Sequence, residues 1–149
     1  MSDVVARTAE AHRRLLRARD MLDRDYAEAL DVSTLAARLG LSRAYFIRSF
    51  REAFGETPYR YLQRRRLERA MAMLRATDKP VTEICLDVGF SSLGTFSRTF
   101  REVLGLSPRD YRSRRPRDDT ARVPTCIAMA WNRPSEHFRR SHTEGSEVT

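Results

Sequence analysis

Apolar residues near the start of the chain recur at the spacing of one helix face. Ala11, Leu15, Ala18 and Leu22 follow at steps of four, three and four, which predicts an amphipathic helix over about 9–25. Further helical segments follow, each bounded by residues that start or stop helices. Asp31 is placed to cap VSTLAARL, which Gly40 stops, and Ser42 to cap RAYFIRSFREAF, which Gly55 stops. Pro58 suits the first turn of PYRYLQRRRLERAMAMLRA, a long helix to Ala76. Pro80 opens VTEICLDV in the same way, and Gly89 stops it. Ser91 or Ser92 caps LGTFSRTFREVL, ended by Gly105, and Pro108 starts a last short helix through Asp110, Tyr111 and Arg112. No stretch alternates with period two for long enough to predict a strand, so the expected fold class is all-α.

The chain also repeats itself. FIRSFREAFGETPYRY at 46–61 matches FSRTFREVLGLSPRDY at 96–111 with an offset of 50. Phe46/Phe96, Arg48/Arg98, Phe50/Phe100, Arg51/Arg101, Glu52/Glu102, Gly55/Gly105, Pro58/Pro108 and Tyr61/Tyr111 are identical pairs. Upstream the offset is 49, through Val32/Val81, Gly40/Gly89 and Ser42/Ser91. Each copy reads as helix, Gly-containing turn, helix, the pattern of a helix-turn-helix. Within each copy the two Phe residues at i, i+4 are expected to face the core, leaving Arg43, Ala44, Ile47, Arg48 and Arg51 for the other faces of the first copy's second helix. Cys85 aligns with Ala36 and reads as a small core residue.

Charge sharpens the picture. The 149 residues carry 28 Lys plus Arg against 20 Asp plus Glu, a net charge of +8. Lys79 is the single lysine, so Arg supplies 27 of the cations. Arg alone offers a planar fork for phosphates and base edges, although a GC-rich genome produces the same bias. The excess is localised: residues 32–75 hold ten Arg against three acids, net +7. Residues 1–31 are net −1, while 76–114 and 115–149 are each net +1. A localised basic face is the electrostatic footprint of nucleic-acid binding.

Other classes fall away. No apolar run approaches the 18 or so residues of a membrane span, and MSDVVARTAEAHRR is not a signal peptide. Cys85 and Cys126 make neither a metal-ligand spacing nor a disulfide framework, and His12, His137 and His142 are scattered. No cofactor, metal or catalytic residue is expected, and a reducing cytoplasm is the default compartment.

The stretch VTEICLDVGFSSLGTFSRTFREVLGLSPRDYR resembles the signature of the AraC/XylS transcription regulators, and LAARLGLSRAYFIRSFREAFGETPYRYLQRRRLERAMAML resembles the same family's first half. The resemblance covers about 20–114. It implies a seven-helix DNA-binding unit within 1–114. Two helix-turn-helices, at about 32–55 and 81–105, are joined by a central helix at about 58–76, and 115–149 forms a tail. It implies recognition helices entering successive major-groove segments of double-stranded DNA. The central helix, about 28 Å long at 1.5 Å per residue, is of the order of the ~34 Å between adjacent groove segments. A monomer can then bind two unlike half-sites.

By the same resemblance Ala44, Ile47 and Arg48 sit where family members touch base edges, flanked by Arg43 and Arg51. Arg48 suits guanine O6 and N7, and Ala44 and Ile47 suit thymine methyls. The matching positions in the second copy are Leu93, Gly94, Ser97 and Arg98, where Gly94 departs from the commoner polar pattern. Arg64, Arg65, Arg66 and Arg69 fall on the central helix, a spacer in the family, and are expected on a solvated or phosphate-touching face or paired with Glu68 or Glu56. Ser42, Ser91 and Ser92 are expected as caps whose helix ends also suit phosphate.

In the tail, RPRDDTAR reads as a linker, VPTCIAMAWNRP as a brief apolar patch with Trp131, and SEHFRRSHTEGSEVT as a polar, disordered end. The resemblance implies that most relatives carry a sensor or dimerisation domain before this unit. Here about 30 residues precede it, so a stand-alone member without a small-molecule effector is expected, recruiting or blocking RNA polymerase. Two other readings stay open: an architectural, weakly specific DNA binder, and a protein-interaction remnant of a longer regulator.

Overall fold

The computed structural model describes residues 2–114, and these form seven α-helices and no strand. They are α1 (Ser2–Arg24), α2 (Val32–Arg38), α3 (Arg43–Phe54), α4 (Pro58–Ala76), α5 (Val81–Asp87), α6 (Leu93–Leu104) and α7 (Pro108–Ser113). The expected linker, apolar patch and polar end of 115–149 lie outside the described residues.

Local chemistry sets most boundaries. The Asp31 carboxylate accepts the Ser33 N–H at 3.2 Å, and the Ser42 hydroxyl accepts the Tyr45 N–H at 3.3 Å. Thr57 caps α4 ahead of Pro58, and Ser107 caps α7 ahead of Pro108. Ser92, rather than Ser91, caps α6 by accepting the Thr95 N–H at 3.2 Å. Gly55 leaves α3 in the left-handed region at φ 79°.

Two expectations need correction. α1 starts at Ser2, not near residue 9. Its first two turns are exposed on every side, so no apolar stripe marks them. They stay helical through local features: Asp3 in the first turn, a Thr8 hydroxyl bond to the Val4 carbonyl at 2.8 Å, and no Gly or Pro. Pro80 is the N-cap of α5, not a residue of its first turn, and its carbonyl accepts the Ile84 N–H at 3.1 Å.

The described chain divides into two units within α6, at Phe96/Ser97. In the first, Leu15, Ala18 and Leu22 of α1 pack with Leu35 and Ala36 of α2, Phe46 and Phe50 of α3, and Tyr61 and Leu62 of α4. The rings meet edge to face, Phe50 lying 5.8 Å from Phe46 and 5.7 Å from Tyr61. Farther along α4, Leu67, Ala70, Met71 and Leu74 are buried, and α5, packed on α4, buries Ile84 and Cys85. Cys85 and Ala36 are each 1% exposed, as expected for a shared small core position. Burial pushes the Cys85 thiol pKa up. The ring of Phe90 closes on Phe96 at 5.1 Å.

In the second unit, buried Phe100 meets Tyr111 at 5.6 Å edge to face, and Pro108 is buried at the start of α7. All four Phe residues of the repeat, Phe46, Phe50, Phe96 and Phe100, are fully buried, as their spacing predicts.

Three of the central-helix arginines, Arg64, Arg65 and Arg66, depart from the solvated face expected of a spacer. Arg66 is buried: its guanidinium donates to the carbonyls of Tyr26 at 2.7 Å and Glu28 at 2.9 Å, and lies 5.8 Å from the centre of the Phe90 ring. Burial lowers its pKa. Arg64 pairs with Glu56 at 2.6 Å and Glu68 at 2.8 Å, the two acids named as alternatives. Burial alone would lower the Arg64 pKa, but the hydrogen bonds and charge of both acids outweigh it and raise it. Arg65 pairs with Asp23 at 3.0 Å and Glu68 at 3.1 Å. Arg69 is exposed, with its guanidinium over the Tyr26 ring at 5.6 Å.

Candidate nucleic-acid interface

The rotation of α3 about its axis is set from inside. Phe46 and Phe50, one turn apart, are both fully buried, so the opposite face of the helix turns outward. That face holds Ala44, Arg48 and Arg51, all exposed, and Arg43 is exposed at the first position of the helix. Ile47, at their centre, is half-buried and presents only part of its side chain. The five candidate positions of the first copy therefore share one helix and, for the most part, one face.

Several arginines elsewhere are neutralised within the protein. In α1, Arg13, Arg14 and Arg17 all converge on Glu10. On α4, Arg64 and Arg65 are neutralised by Glu56, Glu68 and Asp23. Among the described residues, no carboxylate stands within ion-pair distance of Arg43, Arg48 or Arg51. Within 32–75, Arg64, Arg65 and Arg66 are spent on the fold, while Arg43, Arg48 and Arg51 of α3, Arg38 of α2 and Arg69 of α4 are exposed. The sequence alone does not separate them.

In α6, Leu93 and Gly94 are exposed, Ser97 is half-buried and Arg98 is exposed. The backbone at Gly94 does not require glycine. A Cβ there meets only the Ser92 hydroxyl, at an ordinary 3.6 Å. Leu93, 42% exposed at the start of the helix, is a large apolar side chain turned to solvent.

One residue of the α3 face has no counterpart among the sequence-derived candidates. Tyr45 is 41% exposed, and the Arg48 guanidinium lies 5.9 Å from its ring centre. An aromatic three residues before an arginine on a helix is the signal that reveals it. Among the described residues no group of His, Cys, Asp or Glu is arranged to hold a metal ion, and no helix is long and apolar enough to cross a membrane.

Residues 35–114 match the family described as helix-turn-helix domain. The chain is 36% identical over 95 residues to the regulatory protein SoxS of Salmonella typhimurium, covering 64% of this chain and 89% of SoxS. It is 39% identical over 94 residues to the transcriptional activator RhaS of Escherichia fergusonii, covering 63% of this chain and 34% of RhaS. Among solved structures, an AraC-type transcriptional regulator from Chromobacterium violaceum superposes with a TM-score of 0.64 at 32% identity, over 74% of this chain and 99% of that one. The DNA-binding domain of the global transcriptional factor AdpA, solved in complex with a target DNA, superposes with a TM-score of 0.65 at 35% identity, over 70% and 97%.

Proposed function

Because the chain belongs to the AraC-type helix-turn-helix family of DNA-binding transcription regulators, we propose that it binds DNA sequence-specifically, with α3 and α6 entering successive major-groove segments. The observation that carries this reading is the exposed surface of α3, where Arg48 and Arg51, with Arg43 at the helix start, have no carboxylate partner among the described residues while Phe46 and Phe50 anchor the helix in the core. Arg48 grips a guanine edge bidentately, Ala44 and the exposed part of Ile47 meet thymine methyls, and Arg43 and Arg51 hold phosphates. On α6, Arg98 and Ser97 offer polar contacts, and Leu93 and Gly94 offer apolar contact and close approach of the backbone.

In this reading residues 1–114 are the DNA-binding unit and 115–149 a tail outside it. Two unlike readers in one chain let a monomer occupy an asymmetric site, and the bound protein recruits or blocks RNA polymerase. No small-molecule effector enters the scheme. Selection of bound duplexes from a random pool with the full chain tests it. The expected result is an enriched motif with two half-sites about one helical turn apart. Equal affinity for the recovered duplexes and for random DNA would overturn it in favour of an architectural binder. No DNA affinity at low salt would favour a protein-interaction module.

A further inference from the structure

We propose that Tyr45 is the positioning residue for Arg48: its ring carries the guanidinium and sets the direction in which that fork leaves α3. The inference rests on the proposed function, in which Arg48 reads a base.

An exposed arginine samples many rotamers, and ordering it on DNA opposes binding. A partner that restrains the side chain in the free protein reduces that penalty. A carboxylate partner would do so by occupying the N–H donors the base needs. A ring face restrains the guanidinium by cation–π attraction and leaves its N–H donors free. Among the described residues Arg48 has the second kind of partner, at 5.9 Å, and no carboxylate within ion-pair distance.

Tyr45 is itself held at its backbone. Its N–H is taken by the Ser42 hydroxyl at 3.3 Å, and its carbonyl accepts the Ser49 hydroxyl. The ring therefore springs from a fixed point in the first turn of the helix. The core does not use it: Phe46 and Phe50 are fully buried, while Tyr45 is 41% exposed. The second copy has Thr95 where the first has Tyr45, so Arg98 has no ring three residues before it. The device belongs to one reader only, and the sharper base preference is expected under α3.

The test uses the full chain and duplexes recovered from a random pool, with single base changes under α3. Tyr45→Leu keeps bulk and removes the π face. Preference at the base pair read by Arg48 should fall about 2- to 5-fold, as expected for an exposed cation–π contact. Tyr45→Phe should keep that preference. In the Arg48→Ala background, Tyr45→Leu should change nothing further. Circular dichroism melts of each variant establish that it is folded. Undiminished preference in Tyr45→Leu overturns the proposal. So does an equal loss in Tyr45→Phe, which would assign the role to the hydroxyl, or an undiminished effect of Tyr45→Leu without Arg48. If Arg48→Ala alone leaves base preference intact, the failure lies in the reading of Arg48 and removes the proposal's premise.

Discussion

The Nε of Arg66 donates a 2.7 Å hydrogen bond to the carbonyl of Tyr26, forty residues earlier in the chain. Gly89 presses on the same pair, since a Cβ there would stand 2.8 Å from that carbonyl and 2.9 Å from that Nε. The α1–α2 connection, the central helix and the turn of the second helix-turn-helix thus meet at one backbone oxygen. Two constraints act on Gly89, its φ of 99° and the missing space, whereas Gly55, at φ 79°, has nothing within 4 Å of an added Cβ. Gly55→Ala should cost about 1–2 kcal/mol for the left-handed backbone alone. Gly89→Ala should cost distinctly more, because the atom in the way is backbone. Arg66→Met, which takes the donor from the Tyr26 carbonyl, should cost about 1–3 kcal/mol. Urea unfolding midpoints measure all three, and equal costs at the two glycines would show that the crowding at Gly89 relaxes.

Tyr61 and Asp23 give the fold an alkaline limit. The phenol donates to Asp23 Oδ1 at 2.6 Å, and burial, then that bond and the Asp23 charge, push its pKa up to about 12 from 10.0. A folded-state pKa raised above the unfolded value means that the folded protein holds the proton more tightly. This stabilisation is complete below pH 10 and is lost as pH rises from 10 through 12. Tyr61→Phe should lose less stability than wild type across that window, read as unfolding midpoint against pH. Parallel curves would assign the alkaline loss elsewhere.

Arg48→Ala should weaken binding to the selected duplex by about 1–3 kcal/mol and relax preference at one base pair. Arg48→Lys should not restore the preference, because an ammonium has no planar fork. An equal loss on every duplex would make Arg48 a phosphate contact instead.

Gly94→Ala should raise thermal stability, by up to about 1 kcal/mol, since the Cβ finds only an ordinary contact and the residue lies within a helix. A lowered melting temperature would contradict the open surface seen at this position.

Salt dependence should separate the two readers. Removing one arginine from a phosphate lowers the slope of log K against log salt by about 0.9. Neutralising Arg43 and Arg51 on α3 should flatten it more than neutralising Arg101 and Arg112. Scrambling the half-site under α3 should likewise weaken binding more than scrambling the other. Equal losses at one fixed salt concentration would show that the halves contribute alike.

What the sequence discloses and what it hides divide along the range of the interactions. The Ser42 cap, the Gly55 stop, the Pro58 start and the buried Phe pairs are readable because each depends on neighbours within a turn or two. The outward position of Ala44, Arg48 and Arg51 follows from those Phe residues. Arg66 is not readable in this way. Nothing in the run Arg64, Arg65, Arg66 distinguishes the arginine whose carbonyl partners lie 38 and 40 residues away. The pairing of Arg65 with Asp23 is hidden for the same reason. The half-burial of Ile47 and Ser97 depends on how closely their helices seat, which periodicity does not measure.

The single lysine side chain, Lys79, is joined to Asp87 at 3.0 Å, and every other cationic side chain is a guanidinium. Acyl transfer to side-chain amines, which erases positive charge on lysine-rich proteins, therefore has no target on the outer face of α3. Formaldehyde capture, which relies chiefly on amines, should trap this chain on DNA poorly, and occupancy mapped that way should be compared with ultraviolet cross-linking.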